Sequence, residues 1–242
     1  MAKGGIMRFD IVTLFPEIVA SYAGNGMVGQ AQKKGLLQIS AVDLRQFGHG
    51  KHKQVDDRPF GGGAGMVLMF EPIKAALDSI HQKLEREGIE RSQTRVIATT
   101  AGGKTWKQSI AKEFAAEISQ KKTIKSVIIL AGRYEGFDQR ILDELVDEQY
   151  SLGNFVLTGG ELPALAMVDS ISRLLPGVLG KEESYQHDSF YRDDKTTQYP
   201  RYTRPETIEY DDKTLSVPEI LLSGNHAKIR EWEQKNEGLF GG

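Results

Sequence analysis

The chain has 242 residues, enough for one large or two small domains. Its 39% hydrophobic and 26% charged residues are those of a packed globular protein and exclude a disordered tail or a fibrous repeat. Lysine and arginine total 31 against 33 acidic residues, a net charge of -2, so any nucleic-acid partner must be held by a local patch. Cysteine is absent, which excludes disulfides, thiolate nucleophiles and cysteine-ligated zinc and points to a reducing cytosol. No run approaches the roughly 18 apolar residues of a membrane helix, and residues 1–7 lack a signal-peptide core. The expectation is a cytoplasmic protein without membrane association, with Met7 as natural start and residues 1–6 an extension.

In chain order, the apolar run at residues 9–14 ends at Phe15-Pro16 and reads as a buried strand, and residues 36–42 read as a second. Residues 49–65 hold five glycines and read as a loop excluded from the core. Ile73, Ala76, Leu77, Ile80 and Leu84 fall at helical spacing. Residues 95–100 read as a strand, and Trp106, Ile110, Phe114 and Ile118 as one helix face. Residues 127–131 suit a strand covered on both faces, and 155–158 look like another. Alternating strands and helices predict an α/β fold with a mostly parallel sheet. The composition turns polar and aromatic from about residue 176 to 205, a linker, and residues 217–222 and 227–234 suggest a small helical domain beyond it.

Three glycine-bearing loops adjoin predicted strands: TTAGGK at 99–104, GRYEG at 132–136, and residues 152–160. Ligands of open α/β sheets bind where such loops converge beyond the carboxyl ends of the strands. Each glycine alone is more often a simple turn; three together favour a ligand site. Gly103-Lys104-Thr105 matches the second half of a P-loop, which makes a nucleotide hydrolase the alternative, but Ala98 stands where its first glycine belongs. TGGELP at 158–163 puts Pro163 in the first turn of a helix running through Leu175. On that helix Asp169 and Arg173 are spaced for an ordinary surface ion pair. Asp188 lies in the polar linker, where a carboxylate is usually solvated, and the five histidines have no metal-ligand spacing.

FDIVTLFPE at 9–17, VDDRPFGGGAGM at 55–66, LAGRYEG at 130–136, GNFVLTGGELP at 153–163, LPGVLG at 175–180, DSF at 188–190, YTRPE at 202–206 and LLSGNH at 221–226 are present in this order. Together they closely resemble the bacterial tRNA (guanine-N1)-methyltransferases of the SPOUT superfamily. The resemblance implies homodimers, an α/β domain tied in a deep trefoil knot, and methylation of N1 of the guanosine 3′ of the anticodon by S-adenosylmethionine, with magnesium. It places Ala98, Thr99, Thr100, Gly132, Glu135, Leu152, Gly153, Phe155, Leu157, Gly159, Gly160 and Pro163 around the cofactor. It gives Asp188, Arg173 and Glu135 catalytic roles, with sites at the subunit interface. The implied organisation is a knotted domain over 1–178, a linker carrying Asp188 over 179–205, and a small helical tRNA-binding domain over 206–242. Lys51, Lys53, Arg58, Arg201 and Arg204 are the expected phosphate contacts. The chain departs from the family at Ala101-Gly102-Gly103, usually a Pro-Gln-Gly turn, at Ala64, usually a proline, and after Trp232, where further basic helices are usual. A non-catalytic RNA-binding relative is a third reading, against which Arg173 and Asp188 both stand.

Overall fold

The structure, a computed structural model, describes residues 6–179, 185 and 188–239. The expected extension, Ile6 apart, lies outside the described residues, as do 180–184, 186, 187 and 240–242. The chain divides into two compact units, Met1–Lys181 and Glu182–Gly242.

The first unit is built on β1 (Met7–Thr13), β2 (Leu37–Asp43), β5 (Thr94–Thr105), β6 (Ser126–Ala131) and β7 (Glu148–Ser151). They form one sheet of order β2-β1-β6-β5-β7 in which every pairing is parallel. Ile11 and Ile97 both register with Ile129, so the middle of the sheet is a row of β-branched side chains. All residues of β1 and β6 are buried, as expected of parallel strands with helices on both faces. Val12, Val96, Ala98, Ile128 and Leu130 face α3 (Phe70–Arg86) and α5 (Gln139–Glu144), where Ile73, Ala76, Leu77, Ile80, Leu84 and Ile141 complete the core. The alternate residues point to the other face, where α6 (Glu161–Ser172) packs on β1 and β6 beside α1 (Pro16–Ala23) and α4 (Gln108–Ala116). Pro16 opens α1, its fixed φ suiting a first turn and its missing N–H costing nothing there. A short α2 (Gly26–Lys33) precedes β2, and β3 (Asp56–Asp57) pairs antiparallel with β4 (Val67–Leu68).

Four sequence expectations change. Residues 155–158 are not a strand: Val156 is 92% exposed, and the adjacent strand is β7, whose polar sequence EQYS gave no apolar signal. β5 runs beyond Thr100 to Thr105, with a register shift between Thr99 and Lys104 opposite Tyr150. Trp106 precedes α4 instead of sitting on it, its indole N–H donating to Ser170 Oγ at 2.9 Å, and Ile118 lies in a π-helical turn, Glu117–Lys121. Within the glycine-rich loop Val55 is buried, bonded through its carbonyl to the Met69 N–H.

The second unit is less helical than expected. β9 (Thr207–Tyr210) and β10 (Lys213–Ser216) form a hairpin turned by Asp211 and Asp212, both at positive φ as a two-residue hairpin turn requires. α7 (Glu219–Leu222) and α8 (His226–Lys235) follow, the Asn225 side chain capping α8 by accepting the Lys228 N–H. β8 (Thr196–Thr197) pairs with β11 (Gly238–Leu239), and Tyr199 and Tyr202 pack on Trp232. Among the described residues no helix is long and apolar enough to cross a membrane.

Candidate active site

The carboxyl ends of β5, β6 and β7 deliver three loops to one cavity of about 390 Å³, within the size range of small-molecule sites. Thr99, Thr100, Gly132, Glu135, Leu152, Gly153, Phe155, Leu157, Gly159, Gly160 and Pro163 all line it. Ala98 does not: it is wholly buried in β5, between Leu130 and Gln149.

Main-chain contacts clasp the loops together. Gly160 N–H donates to Gly132 O at 2.7 Å, Gly132 N–H to Thr99 Oγ1 at 3.2 Å, and that hydroxyl to Leu130 O at 3.1 Å. A methyl at Gly160 would lie 2.1 Å from Thr99 Oγ1 and 2.5 Å from Gly132 N, so glycine is required by close approach of three chain segments. Gly153, at φ 153°, starts the turn that carries Phe155, Val156 and Leu157 to the cavity edge, all three exposed. The apolar run misread as a strand is therefore one wall of the site.

A buried carboxylate that sequence reasoning missed braces the rim. Glu161 is 2% exposed and accepts hydrogen bonds from Thr13 Oγ1 at 2.7 Å and Arg133 Nε at 3.2 Å, with Arg133 Nη2 at 2.8 Å. Arg133 also donates to Thr158 O at 3.0 Å and lies over the Phe15 ring, 4.3 Å from its centroid. One ion pair thus ties together the ends of β1, β6 and the 153–160 loop. Its sequence signal was slight, a glutamate directly after two glycines. Tyr150, another lining residue that was missed, has its phenol pushed up by burial and by its hydrogen bond with Glu148.

Glu135 is exposed at the cavity, its N–H donating to Met66 O at 3.0 Å. Arg173 is half-buried just past the end of α6, outside the cavity lining, its N–H donating to Asp169 O at 3.0 Å. The Asp169 carboxylate is hydrogen-bonded to the Tyr22 hydroxyl, which burial and this bond together push up to about 12. Asp188 belongs to the second unit and lines a separate cavity of about 410 Å³ with Tyr191, Arg192, Gln198, Tyr199 and Arg230 among others. Its Oδ1 accepts from Gln198 Nε2 at 3.2 Å, and Gln198 N–H donates to Ser189 Oγ at 2.9 Å. Between them, Asp193 accepts the Thr196 and Lys195 N–H groups, which hold its carboxyl below the usual range and fold residues 188–198 into a closed loop.

The P-loop alternative does not survive. Gly103, Lys104 and Thr105 are extended strand, Lys104 and Thr105 registered with Tyr150 and Ser151, and the next helix starts at Gln108, so no backbone cradle forms at a helix N-terminus. No group of three His, Asp or Glu side chains suited to a metal ion occurs among the described residues. The cavity lining sets apolar Leu152, Phe155 and Leu157 beside the Arg133 guanidinium and one exposed carboxylate, Glu135.

A family model described as tRNA (Guanine-1)-methyltransferase TrmD matches residues 7–239. The chain is similar to proteins named tRNA (guanine-N(1)-)-methyltransferase. One, from Clostridioides difficile (strain 630), is 46% identical over 95% of the chain and 91% of the relative. Another, from Ruminiclostridium cellulolyticum, is 42% identical over 95% and 90%. The crystal structure of tRNA (m1G37) methyltransferase from Aquifex aeolicus covers 94% of the chain and 88% of its own, with a TM-score of 0.72 at 38% identity.

Proposed function

The chain belongs to the tRNA (guanine-1)-methyltransferase TrmD family, and on that premise we propose that it transfers a methyl group from S-adenosylmethionine to N1 of a guanosine in tRNA, at the G37 position of its Aquifex structural neighbour. The observation that carries the reading is the cavity beyond the carboxyl ends of β5, β6 and β7, held in shape by the glycine clasp and walled by Leu152, Phe155 and Leu157. When bound, S-adenosylmethionine supplies an electrophilic methyl on a sulfonium.

Guanine N1 keeps its proton at neutral pH, so the ring must lose it as the methyl arrives. Asp188 accepts that proton as general base, its carboxylate steadied by the Gln198 amide. Arg173 offsets the negative charge left on the purine through a preorganised guanidinium. Glu135, exposed at the cavity, orients the base edge or balances the sulfonium. No covalent protein intermediate is needed. In this reading the enzyme is a cytoplasmic homodimer with sites at the subunit interface, a SPOUT-type trefoil knot in the first 178 residues, and a tRNA-binding domain after residue 205. The division of the chain at residue 181 leaves the three-loop cavity in the first unit and Asp188 in the second, so both units contribute to the proposed chemistry.

The test is to incubate the protein with labelled S-adenosylmethionine and an unmodified tRNA transcript, then map the label. Label at N1 of the guanosine 3′ of the anticodon is expected. Transfer elsewhere, or none with donor bound, would overturn the reading.

A further inference from the structure

The Phe60 side chain is wholly exposed, whereas Phe9, Phe114 and Phe137 are buried and Phe15, Phe47 and Phe70 pack against the core. Burying a phenylalanine ring is favourable, and this residue forgoes that gain in the free chain. Its setting is nevertheless built. β3 and β4 clamp the two arms of the loop, and Val55 and Leu68 beneath them are each 1% exposed. Leu68 N–H donates to Gly136 O at 2.9 Å and Glu135 N–H to Met66 O at 3.0 Å, so the stem is stitched to the 132–136 turn of the cavity. At the same end Gly65 lies so close that a methyl there would stand 2.6 Å from Glu135 Cγ. Beyond this stem, Gly61, Gly62 and Gly63 all take positive φ with open space around them, so they shape the tip instead of filling a contact. The ring is carried by a loop whose base is anchored on the 132–136 turn of the candidate site.

The charges around it indicate a partner. Arg58 adjoins the ring two residues before it, and Lys51 and Lys53 are exposed on the preceding turn, closed by the His49–Gln54 bridge. Asp56 and Asp57 stand on the same arm, Asp57 accepting the Arg58 N–H at 2.8 Å, so the three cations of the loop exceed its carboxylates only modestly. One aromatic face flanked by cations and by glycines is far smaller than the roughly 800 Å² per side of a stable protein interface, and it matches a single nucleobase with its phosphates.

Resting on the tRNA reading above, we propose that Phe60 is a stacking platform for an unpaired base of the tRNA beside the target guanosine, with Arg58, Lys51 and Lys53 holding the adjoining phosphates. Carried on a loop anchored at the Glu135 turn, it acts as a positioning residue: it fixes the anticodon loop while the chemistry occurs in the cavity.

The experiment compares Phe60→Ala, Phe60→Leu and Phe60→Trp in the full-length protein. Affinity is measured with an unmodified tRNA transcript, donor affinity with S-adenosylmethionine alone, and mass by sedimentation. Stacking loss should weaken tRNA binding about 5- to 100-fold in both Ala and Leu variants, with donor affinity and melting temperature unchanged. Phe60→Trp should stay within about threefold of the parent, with one tryptophan signal newly quenched by the transcript and not by a duplex of equal length. Leu equal to the parent would reduce the ring to a generic apolar contact and overturn the proposal. Loss of a dimer in the Ala variant would do so too, assigning Phe60 to a second copy. If the parent methylates the transcript and Phe60→Ala binds it within twofold, only this inference fails; a parent that binds donor but transfers no methyl sinks the functional reading itself.

Discussion

Replacing Gly160 by alanine puts a number on the loop clasp. The backbone at Gly160 has φ -83°, which alanine adopts freely, so the whole cost is steric. The added methyl would sit 2.1 Å from Thr99 Oγ1, 2.5 Å from Gly132 N and 2.9 Å from Ala131 C. Relief needs a shift of more than 1 Å in a backbone already held by the 2.7 Å and 3.2 Å bonds of the clasp. Overpacking of this kind costs about 1–3 kcal/mol, and each hydrogen bond lost about 1 kcal/mol. Against that, alanine restricts the unfolded chain and returns under about 1 kcal/mol. A net loss of about 2–3 kcal/mol lowers the melting temperature of a unit of this size by about 4–12 °C. Since the same shift moves the cavity wall, S-adenosylmethionine affinity should fall at least about tenfold, read by calorimetry beside the thermal melt. Gly102→Ala is the control, in the same cavity with nothing within 4 Å of the added methyl, and should change stability by less than about 0.5 kcal/mol. A Gly160→Ala protein that melts within about 1 °C of the parent and binds donor normally would refute the clasp.

Glu161→Ala strands the Arg133 guanidinium and should cost about 3 kcal/mol in denaturant melts, and Arg133→Met, which strands the more deeply buried Glu161 carboxylate, should cost at least as much. The folded chain holds the Tyr22 proton up to about 12 from an ordinary 10.0, so its contribution is intact below about pH 10 and fades from there toward 12. The parent should therefore lose stability over that window more steeply than Tyr22→Phe; equal slopes would remove the Asp169 bond from the account. Asp188→Asn should slow single-turnover methylation about 10²- to 10⁴-fold and leave donor affinity unchanged. Binding of tRNA should weaken steeply between low and moderate salt through Lys51, Lys53, Arg58, Arg201 and Arg204, and a flat salt titration would exclude that patch.

The parts legible in the sequence are those where burial and periodicity agree. α3 buries the five residues whose spacing announced it, and β6 is a continuous apolar run because both its faces are covered. Residues 155–157 failed the same rule, because an apolar run signals water avoidance and does not say whether a protein core or a ligand supplies it. β7 escaped notice since a polar edge strand needs only backbone partners, and Gly103 shows how close they come, with Tyr150 N 2.6 Å from where a Cβ would be. The glycine loops were readable as a set. Asp188 and Arg173 were not selectable from residue type at all; a solvated carboxylate and a surface ion pair were the ordinary expectations, and only the resemblance singled them out. Glu161 remained hidden because its burial depends on Arg133 and Thr13, far away in sequence.

The placement of β1 inside the sheet, between β2 and β6, has a cost during synthesis. One edge of this fully buried strand is covered early, by β2, but the other waits for β6, which begins at Ser126. At roughly 5–20 residues per second the ribosome needs several seconds to more than twenty to deliver it. Until then Phe9, Ile11 and Val12 stand on an open strand edge, the geometry that invites pairing with another nascent chain. The sheet can close only after the residues from Ser126 onward have been made, so a message truncated before Ser126 yields a product with an unfinished, adhesive edge and no means of covering it.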